Sequence, residues 1–349
     1  GSAGIYIENG ESLNPCWYND FRIEGCEIYD TGACGIIINS NYGKRAEITK
    51  WDLQKLPFTP ATNVVIKNNI IRDLPGDGMW ISTTKGAVLE YNTVYNTSYG
   101  ELTQYAGMWP HNSDGCVMQF NELYENRLGA GDGQGLDVDI NCNDTLIQYN
   151  YSHDNEGGFL LVCTDGETGH YNRGTVVRYN ISRNDRNSLV TIKGIEVTGL
   201  QVYNNTFITD FGYPAGTIST LLWSRNDAVF ANNLFVDRAP AASRFVDAKD
   251  GEGNPRDNRG LVMTFESNFF AGQAPEEEET IRVLPSNRTG EDPGLAAPED
   301  PGPQGCRLRP DAPCAYAGKR LMDRGERDFF GKRAMDAPPS MGAHEPEKA

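Results

Sequence analysis

The chain has 349 residues and a formal net charge of -17, with 38 glycines and 38% apolar residues. A surface this acidic repels phosphate backbones, so the composition argues against nucleic acid as a partner. No apolar run approaches the length of about 18 residues that a transmembrane helix needs, so we expect no membrane span.

The eight cysteines form no Cys-x-x-Cys pair, which argues against a zinc site. An even count suits disulfides in an exported protein, and buried free thiols explain it equally well. Cys306 and Cys314 bracket a short loop and are the best candidates for a disulfide. The first residues already follow the repeat described next, so we expect a removed signal or N-terminal region. The predicted location is secreted, periplasmic or cell-surface.

The first repeated element is a short strand of the form Gly-apolar-x-apolar. Its copies begin at Gly4, Gly35, Gly78, Gly107, Gly135 and Gly158, and looser copies begin at Ser188 and Thr220. A second element ends in asparagine at one fixed place and recurs every 23–35 residues. Its copies end at Asn69, Asn92, Asn121, Asn150, Asn180, Asn205, Asn233 and Asn268, and Cys26 takes this place in an earlier copy.

Both elements alternate apolar and other residues with period two, which is typical of β-strands. Strands this short, without long intervening helices, cannot build a doubly wound parallel sheet, but they can stack as the rungs of a coil. A β-sandwich or a propeller needs a different repeat length. Asparagine at one place per rung is explained by its tolerance of the left-handed conformation and by amide hydrogen bonds along the stack. The sequence therefore predicts an all-β, parallel β-helix of about 8–10 rungs.

The variable rung length predicts where the loops lie. Residues 40–62 form the largest insertion, and residues 97–106, 164–174 and 237–260 form smaller ones. From about residue 272 the composition shifts to proline, glutamate and glycine. We therefore predict a β-helix domain over residues 1–272 and an irregular C-terminal cap over residues 273–349.

The asparagine ladder and the tail DPGLAAP…CRLRPDAPCAYAG…PPSMGAHE make the chain similar to the right-handed, pectate-lyase-like β-helix superfamily of carbohydrate-active proteins. Among these it most resembles secreted bacterial glycoside hydrolases. The resemblance covers nearly the whole chain and implies a carbohydrate substrate. It does not imply one reaction, since this fold hosts hydrolases, lyases, epimerases and inert adhesins.

Alignment of the Gly-apolar-x-apolar strands predicts two outward columns of side chains on one face of the coil. The first column contains Ile37, Trp80, Trp109, Asp137, Leu160, Val190 and Leu222, and the second contains Asn39, Ser82, His111, Asp139, Val162, Ile192 and Ser224. Because neighbouring rungs lie about 4.8 Å apart, we expect Trp80, Trp109, His111, Asp137 and Asp139 to form one patch.

Asp137 and Asp139 on the same face of one strand repel each other, which raises one pKa and leaves the other carboxyl ionised. We predict that both are catalytic. A solvated polar strand or a calcium-binding acidic ladder would give the same pattern, so Ca²⁺ stays open while the leading hypothesis requires no cofactor.

Further candidates flank this pair. Glu156, at the turn before the next strand, is a third catalytic candidate, although a plain turn role suits it as well. Asp132, His153 and Asp165 are candidates for substrate binding, as is His111, and a turn hydrogen bond is the more ordinary role for His153. Trp80 and Trp109 could stack on sugar rings or pack beneath the 40–62 insertion.

The leading functional hypothesis is a monomeric glycoside hydrolase with paired carboxylates on the outer face of the β-helix. The alternative is a calcium-dependent polysaccharide lyase or epimerase acting on a uronate-containing glycan. Its cationic base would come from Lys193, Arg183 or Arg186, which are expected two rungs away from the acidic pair. A third hypothesis is a non-catalytic glycan-binding solenoid.

Overall fold

The structure of the chain is a computed structural model, which describes residues 2–9, 17–40, 58–164, 169–222, 226–239, 243–249, 261–333 and 338–347. Its architecture is a coil of short parallel strands, numbered here in chain order. Most rungs contribute one strand to each of three long sheets, A, B and C. No helix among the described residues is long and apolar enough to cross a membrane.

Sheet A contains β1 (Ala3–Asn9), β4 (Cys34–Ser40), β7 (Met79–Ser82), β11 (Met108–His111), β14 (Gln134–Val138), β18 (Gly158–Cys163), β22 (Ser188–Gly194), β26 (Ile218–Leu222) and β29 (Val246–Lys249). Sheet B contains β2 (Asn19–Glu24), β5 (Ala61–Lys67), β9 (Val88–Glu90), β12 (Val117–Gln119), β16 (Leu146–Gln148), β20 (Val176–Arg178), β24 (Leu200–Tyr203), β27 (Asn226–Ala231), β30 (Leu261–Glu266) and β32 (Ile281–Val283), with β8 (Thr84–Lys85) beside β5.

Sheet C contains β3 (Glu27–Tyr29), β6 (Ile70–Arg72), β10 (Thr93–Tyr95), β13 (Glu122–Tyr124), β17 (Tyr151–His153), β21 (Ile181–Arg183), β25 (Thr206–Thr209), β28 (Leu234–Asp237), β31 (Phe269–Ala271) and β33 (Arg288–Thr289). A small fourth sheet joins β15 (Cys142–Asn143), β19 (Asn172–Arg173) and β23 (Val197–Thr198). The described part of the cap contains a 3₁₀ helix, Pro303–Cys306. The last strands, β32 and β33, lie beyond the composition change at residue 272.

The core runs through the middle of the coil, because each strand directs alternate apolar side chains inward. Leu136 of β14, Leu160 of β18 and Val190 of β22 stack in consecutive rungs and are fully buried. Each rung therefore covers the apolar surface of its neighbours, which is how a solenoid acquires a continuous core.

The predicted asparagine ladder is confirmed. In each ladder pair the side-chain Nδ2 donates to the Oδ1 of the next asparagine, as from Asn121 to Asn150 and from Asn150 to Asn180, both at 3.0 Å. The same Oδ1 accepts a backbone N–H, such as that of Asn121 at 3.0 Å. Cys26 takes the ladder place as predicted, since its N–H donates to Asn69. The structure adds Asn287 at the other end.

The conformational reason predicted for the ladder needs correction. The left-handed residue is the one before each ladder asparagine from Asn69 to Asn268: φ is 55° at Tyr91, 56° at Phe120 and 59° at Tyr149. Such φ values cost about 1 kcal/mol or more for a residue with a side chain. Stacking offsets part of this cost, since the ring centroids of Tyr91 and Phe120 lie 4.9 Å apart. The ladder asparagines themselves serve as hydrogen-bonding groups.

The cap packs on the outer face of sheet C in the later rungs. Its apolar side chains, including Leu295, Leu308 and Met341, cover Ile208 and Leu234. The cap is fastened by polar contacts as well, because the backbone N–H of Ala343 donates to Thr206 Oγ1 at 2.9 Å. The face of sheet A that carries the acidic residues belongs to a different side of the coil.

Two expectations about loops and cysteines have different outcomes. The predicted Cys306–Cys314 disulfide is wrong, since both thiols are free and buried in the cluster beneath the cap. Burial raises the pKa of each of these thiols to about 12.

Residues 41–57, most of the predicted 40–62 insertion, lie outside the described residues. The hypothesis that they cover Trp80 and Trp109 therefore stays untested.

Candidate active site

A cavity of about 210 Å³ lies on the outer face of sheet A around the carboxyl end of β14. Four aspartates line it: Asp77, Asp132, Asp137 and Asp139. The other lining residues are Gln104, Tyr105, Ala106, Trp109, Ile140, Leu161, Cys163, Thr164 and Lys193. We call this cavity the acidic cleft.

Asp137 lies at the base of the acidic cleft. Inward Leu136 and Val138 fix β14 in the core, so the side chain between them points outward. Only 5% of Asp137 is exposed. Burial raises the pKa of Asp137 well above its ordinary value, and the charges of Asp139, Asp132 and Asp77 raise it further. Both effects favour the neutral form of this carboxyl group over its anion.

Asp139 follows β14 directly and is more accessible than Asp137. Its Oδ1 accepts a hydrogen bond from the backbone N–H of Ile140 at 2.7 Å and one from the Cys163 thiol at 3.2 Å. The Asp139 N–H donates to the Pro110 carbonyl at 3.1 Å, which ties this residue to the preceding rung. Two donors on one oxygen suit a carboxylate anion.

Cys163 contacts both acids, because its Sγ also lies 3.9 Å from Asp137 Oδ1. Burial and the neighbouring charges of Asp137 and Asp139 raise the pKa of Cys163 well above its ordinary value. The group is therefore a protonated thiol and a hydrogen-bond donor, not a thiolate nucleophile.

The predicted outward column is wrong after Asp137. The register pairs Asp137 with Leu161 and Leu161 with Thr191, whereas Leu160 and Val190 point into the core. The alignment had matched Gly158 to Gly135, but Gly158 pairs with Gln134. Its φ of 126° belongs to the turn that enters β18, so the glycine marks a different place in this rung.

This shift of one residue brings Lys193 into the acidic cleft. Cys163 pairs with Lys193 in the next rung, and both line the cavity. Lys193 therefore lies two rungs along from the acidic pair, as predicted, and it is a cation of the acidic cleft itself. Arg183 lies on sheet C instead, where its Nη1 donates to the carbonyl of Asp300 in the cap.

Asp132 lines the cleft from the turn that precedes β14. Burial raises the pKa of Asp132, Lys193 opposes this rise, and Asp139 adds to it. The turn is held close to the next rung, since a Cβ at Gly157 would collide with the backbone carbonyl of Asp132. A larger residue at Gly157 would therefore displace Asp132.

Asp77 is a cleft residue that the sequence reasoning missed. It is 4% exposed, and its Oδ1 accepts hydrogen bonds from the Ala106 N–H and from Trp109 Nε1, both at 2.8 Å. Burial raises the pKa of Asp77 to about 6, although these donors and the Cys34 thiol oppose the rise. The available signal was the tripeptide Gly-Asp-Gly before a strand, which occurs at Gly76–Gly78 and again at 131–133.

Trp80 and Trp109 stack in neighbouring rungs, as predicted, with ring centroids 5.3 Å apart and an angle of 9° between the planes. Trp109 lines the cleft, and Trp80 lies behind it. His111 packs edge-on against both indoles, and its Nδ1 lies 3.0 Å from Ser82 Oγ. His111 is thus on the predicted face, but it supports the tryptophan pair from outside the residues that line the cleft.

Glu156 lies outside the acidic cleft. Its carboxylate is 2.9 Å from Arg127 Nη1 and accepts the Leu128 N–H at 3.0 Å. Partial burial acts to raise its pKa, but the hydrogen bonds from Leu128 and Arg127 outweigh it and hold the pKa of Glu156 below its ordinary value. This environment is that of a structural carboxylate that joins two turns.

His153 lies on sheet C, stacked between Tyr124 and Tyr151. Burial acts to lower its pKa, but bonds with Asp154 and Glu122 outweigh it and raise the pKa of His153 to about 9. The structure does not bring His153 to the cleft. Asp165 lies outside the described residues.

Known protein families and solved structures are similar to this coil. Residues 3–235 match the family described as "Right handed beta helix region". The chain belongs to this right-handed β-helix family. The predicted fold, a right-handed parallel β-helix, is thereby confirmed.

Two relatives of this β-helix protein carry the same name. A lacto-N-biosidase from Bifidobacterium longum is 27% identical over 96% of this chain, which spans 22% of that protein's length. A crystal structure of a GH136 lacto-N-biosidase from Eubacterium ramulus is similar over 76% of this chain and 36% of that one, with 21% identity and a TM-score of 0.45.

The solved complex of XylC with xylose gives a TM-score of 0.57 at 14% identity, covering 98% of this chain and 62% of that chain. At this identity the similarity concerns the fold alone. The chain spans only part of the length of each of these proteins, about a fifth of the B. longum protein and less than two thirds of XylC.

The cleft of this β-helix protein offers carboxyl groups in different environments. Asp132 and Asp139 are partly exposed, whereas Asp77 and Asp137 are buried. Across the described ranges, no group of three or more His, Cys, Asp or Glu side chains has an arrangement that could hold a metal ion. The arrangement suits proton transfer at carboxyl groups whose pKa values differ.

Proposed function

We propose that the chain is a glycoside hydrolase whose acidic cleft cleaves a glycosidic bond. The observation that carries this proposal is the placement of two accessible carboxyl groups, Asp132 and Asp139, in one cleft with the indole of Trp109. Paired carboxyl groups beside a sugar-stacking ring are the usual equipment of glycosidases. The names of the B. longum and E. ramulus relatives support the same class of reaction.

The environments of the two accessible groups suggest how they divide the work. Asp139 accepts hydrogen bonds from Ile140 and Cys163, which favour the anion, so it serves as the nucleophile or as the base that activates water. The raised pKa of Asp132 suits the general acid that protonates the leaving oxygen. Attack at the anomeric carbon then coincides with cleavage of its bond to that oxygen.

The sequence predicts that Asp137 and Asp139 are both catalytic. In this mechanism Asp137 does not act directly on the substrate. Its 5% exposure leaves little surface for substrate, and its raised pKa favours the neutral form, which adds no negative charge beside Asp139. Lys193 lies on the opposite side of Cys163 from Asp139 in the sheet and contributes a positive charge to the cleft. It would balance the aspartate charges and bind a hydroxyl or carboxylate of the glycan.

The substrate is proposed from the relatives' names. A glycan that contains lacto-N-biose is the first to test, followed by xylose-containing, uronate-containing and other plant or host oligosaccharides. The carbohydrate partner, the absence of a required cofactor, the monomeric state and the secreted or cell-surface location remain parts of this proposal.

The test is turnover of these oligosaccharides by the purified chain and by Asp132→Asn, Asp137→Asn and Asp139→Asn. We expect released sugar from the unmodified chain and the largest losses for Asp132→Asn and Asp139→Asn. Asp311→Asn, an exposed carboxylate on the cap, is the matched control. A loss confined to Asp137→Asn would make Asp137 the acid. Full activity in all three cleft variants would refute the site.

Lys193 favours one alternative, a polysaccharide lyase or epimerase. A lysine in a cleft with acids could abstract the proton beside a uronate carboxylate, with the acids oriented toward a calcium ion. A product with the ultraviolet absorbance of an unsaturated uronate, lost in Lys193→Met and on chelation of Ca²⁺, would establish the lyase in place of the hydrolase. Glycan binding without any product would support the non-catalytic hypothesis.

A further inference from the structure

Trp109 is held in the cleft by a buried carboxylate. Asp77 lies in the turn before β7, and its Oδ1 accepts the indole N–H of Trp109 at 2.8 Å. The same oxygen accepts the backbone N–H of Ala106, on the loop that leads into Trp109's strand. One atom of Asp77 therefore fixes both the backbone before β11 and the ring that β11 carries.

The described residues offer no comparable hydrogen bond to the second indole, that of Trp80. Trp80 Nε1 is buried and has no hydrogen-bond partner among the described residues. Trp80 is positioned by stacking on Trp109 and by the edge of His111. The orientation of the pair is therefore set through Trp109, and Asp77 is its polar attachment to the coil.

The order of the rungs determines which face of Trp109 is available. Sheet A places β11 between β7 and β14. Since Trp80 of β7 covers one face of the Trp109 ring, the opposite face is directed toward the rung of Asp137. That face belongs to the acidic cleft, which Trp109 lines and Trp80 does not.

We infer that Asp77 is a positioning residue, which holds Trp109 as the stacking platform for the sugar ring next to the Asp132 and Asp139 carboxyl groups. This inference rests on the proposed function and deepens it, because it assigns the platform and the residue that orients it. Asp77 acts through the indole and does not itself touch the sugar.

The alternative is that Asp77 merely stabilises the turn around it. The neighbouring glycines are tightly enclosed, since a Cβ at Gly76 would lie 2.8 Å from the Ala33 carbonyl oxygen and from Cys34 Sγ. A purely structural residue would affect folding and turnover together. A positioning residue affects the affinity for sugar through one particular indole.

The experiment compares Asp77→Ala, Asp77→Asn and Trp109→Phe with the full chain. Asparagine keeps an oxygen that can accept both N–H groups, so we expect Asp77→Asn to retain KM within about twofold. Loss of the acceptor in Asp77→Ala should raise KM about tenfold with a smaller effect on kcat, as should Trp109→Phe, which keeps a ring but loses the N–H.

A double-variant cycle isolates the link between the two residues. Because Asp77→Ala and Trp109→Phe remove the same hydrogen bond, the double variant should have nearly the KM of either single variant. Trp80→Phe is the matched aromatic control, since its N–H has no hydrogen-bond partner in the part of the chain that the structure describes, and its combination with Asp77→Ala should be additive. Additivity in the Asp77→Ala/Trp109→Phe cycle would overturn the inference.

A second readout does not depend on turnover. The ¹H–¹⁵N spectrum of the indole N–H groups, assigned with Trp109→Phe, should show the Trp109 resonance shifted in Asp77→Asn and moved by added sugar in the unmodified chain. If no oligosaccharide is hydrolysed but the resonance still responds to sugar, the proposed function fails and the platform stands. If sugars are hydrolysed while the resonance ignores both changes, the positioning role fails.

Discussion

The asparagine ladder and the acidic cleft both contain buried polar side chains, and their energetics are opposite. In the ladder, every interior member both donates and accepts, as Asn150 donates to Asn180 and accepts from Asn121. In the cleft, Asp137 lies near three other carboxyl groups that all raise its pKa. The ladder satisfies its buried groups mutually, whereas the cleft concentrates groups that repel each other.

This difference indicates that the asparagine ladder stabilises the fold and that the acidic cleft is suited to the proposed chemistry. Amides are neutral and carry both donors and acceptors, so a stack of them is self-complementary and stabilises the coil. Carboxyl groups placed together must lose charge or find partners, which costs stability and tunes proton affinity. Replacing a ladder asparagine should therefore lower the free energy of unfolding, whereas replacing a buried carboxyl group of the cleft should raise it.

The largest expected effect is on activity in the cleft. Asp139→Asn should lower kcat about a hundredfold to ten-thousandfold, because the variant lacks the anionic carboxylate. The measurement is sugar release on the best substrate from the oligosaccharide panel, with circular dichroism to confirm folding. Asp311→Asn should retain full activity. An unchanged kcat in Asp139→Asn would contradict the proposed catalytic role of Asp139.

The largest expected loss of stability is in the ladder. Asn150→Leu should lower the free energy of unfolding by about 3 kcal/mol, because the side chain and backbone N–H of Asn121 lose their common acceptor in a buried site. Denaturant unfolding measures this change. Gln201→Leu, an amide replacement on the exposed face of sheet B, should stay within about 0.5 kcal/mol of the unmodified chain. Equal losses in both variants would contradict the prediction that a ladder asparagine stabilises the fold more than an exposed amide does.

Asp137→Asn should stabilise the protein at neutral pH. The pKa of Asp137 is raised in the folded state, so the unfolded chain binds fewer protons, and stability falls as pH rises from the ordinary aspartate value through the raised one. The variant avoids this loss, with a gain of about 1.4 kcal/mol for each tenfold change in proton affinity.

Thermal unfolding across acidic to mildly alkaline pH tests this prediction. The gap between Asp137→Asn and the unmodified chain should widen as pH rises and nearly close near the ordinary aspartate pKa. If the variant were less stable than the unmodified chain at every pH, the prediction would be wrong. Asp137 would then be an anion whose charge is stabilised in the folded state, and the cleft would resemble the ladder in satisfying its buried groups.

The smallest expected effect is at Glu156, a carboxylate outside the cleft. Glu156→Gln should lower stability by at most about 1 kcal/mol at neutral pH, because its ion pair with Arg127 is solvent-exposed. Its lowered pKa makes this contribution present above the ordinary glutamate pKa and lost as pH falls. Turnover should be unchanged, and a hundredfold loss would return Glu156 to the catalytic set.

The sequence by itself determined the coil. The repeats ending at Asn69 through Asn268 specify strands, their stacking and the ladder, because hydrogen bonds between equivalent places in successive rungs repeat with the sequence. The outward direction of Asp137 and the stack of Trp80 on Trp109 also follow from local alternation within a strand.

Only the tertiary structure decided what meets in the cleft. A one-residue change of register at Gly158 places Cys163 beside Asp139 and Lys193 in the cleft one rung further along, since side chains alternate with period two. Asp77 and Asp132 reach the cleft from turns, where no periodicity predicts a direction. Glu156 and His153 are close to Asp139 in sequence, yet a turn and a different sheet separate them from it, because in a coil proximity is set by the rung and the face.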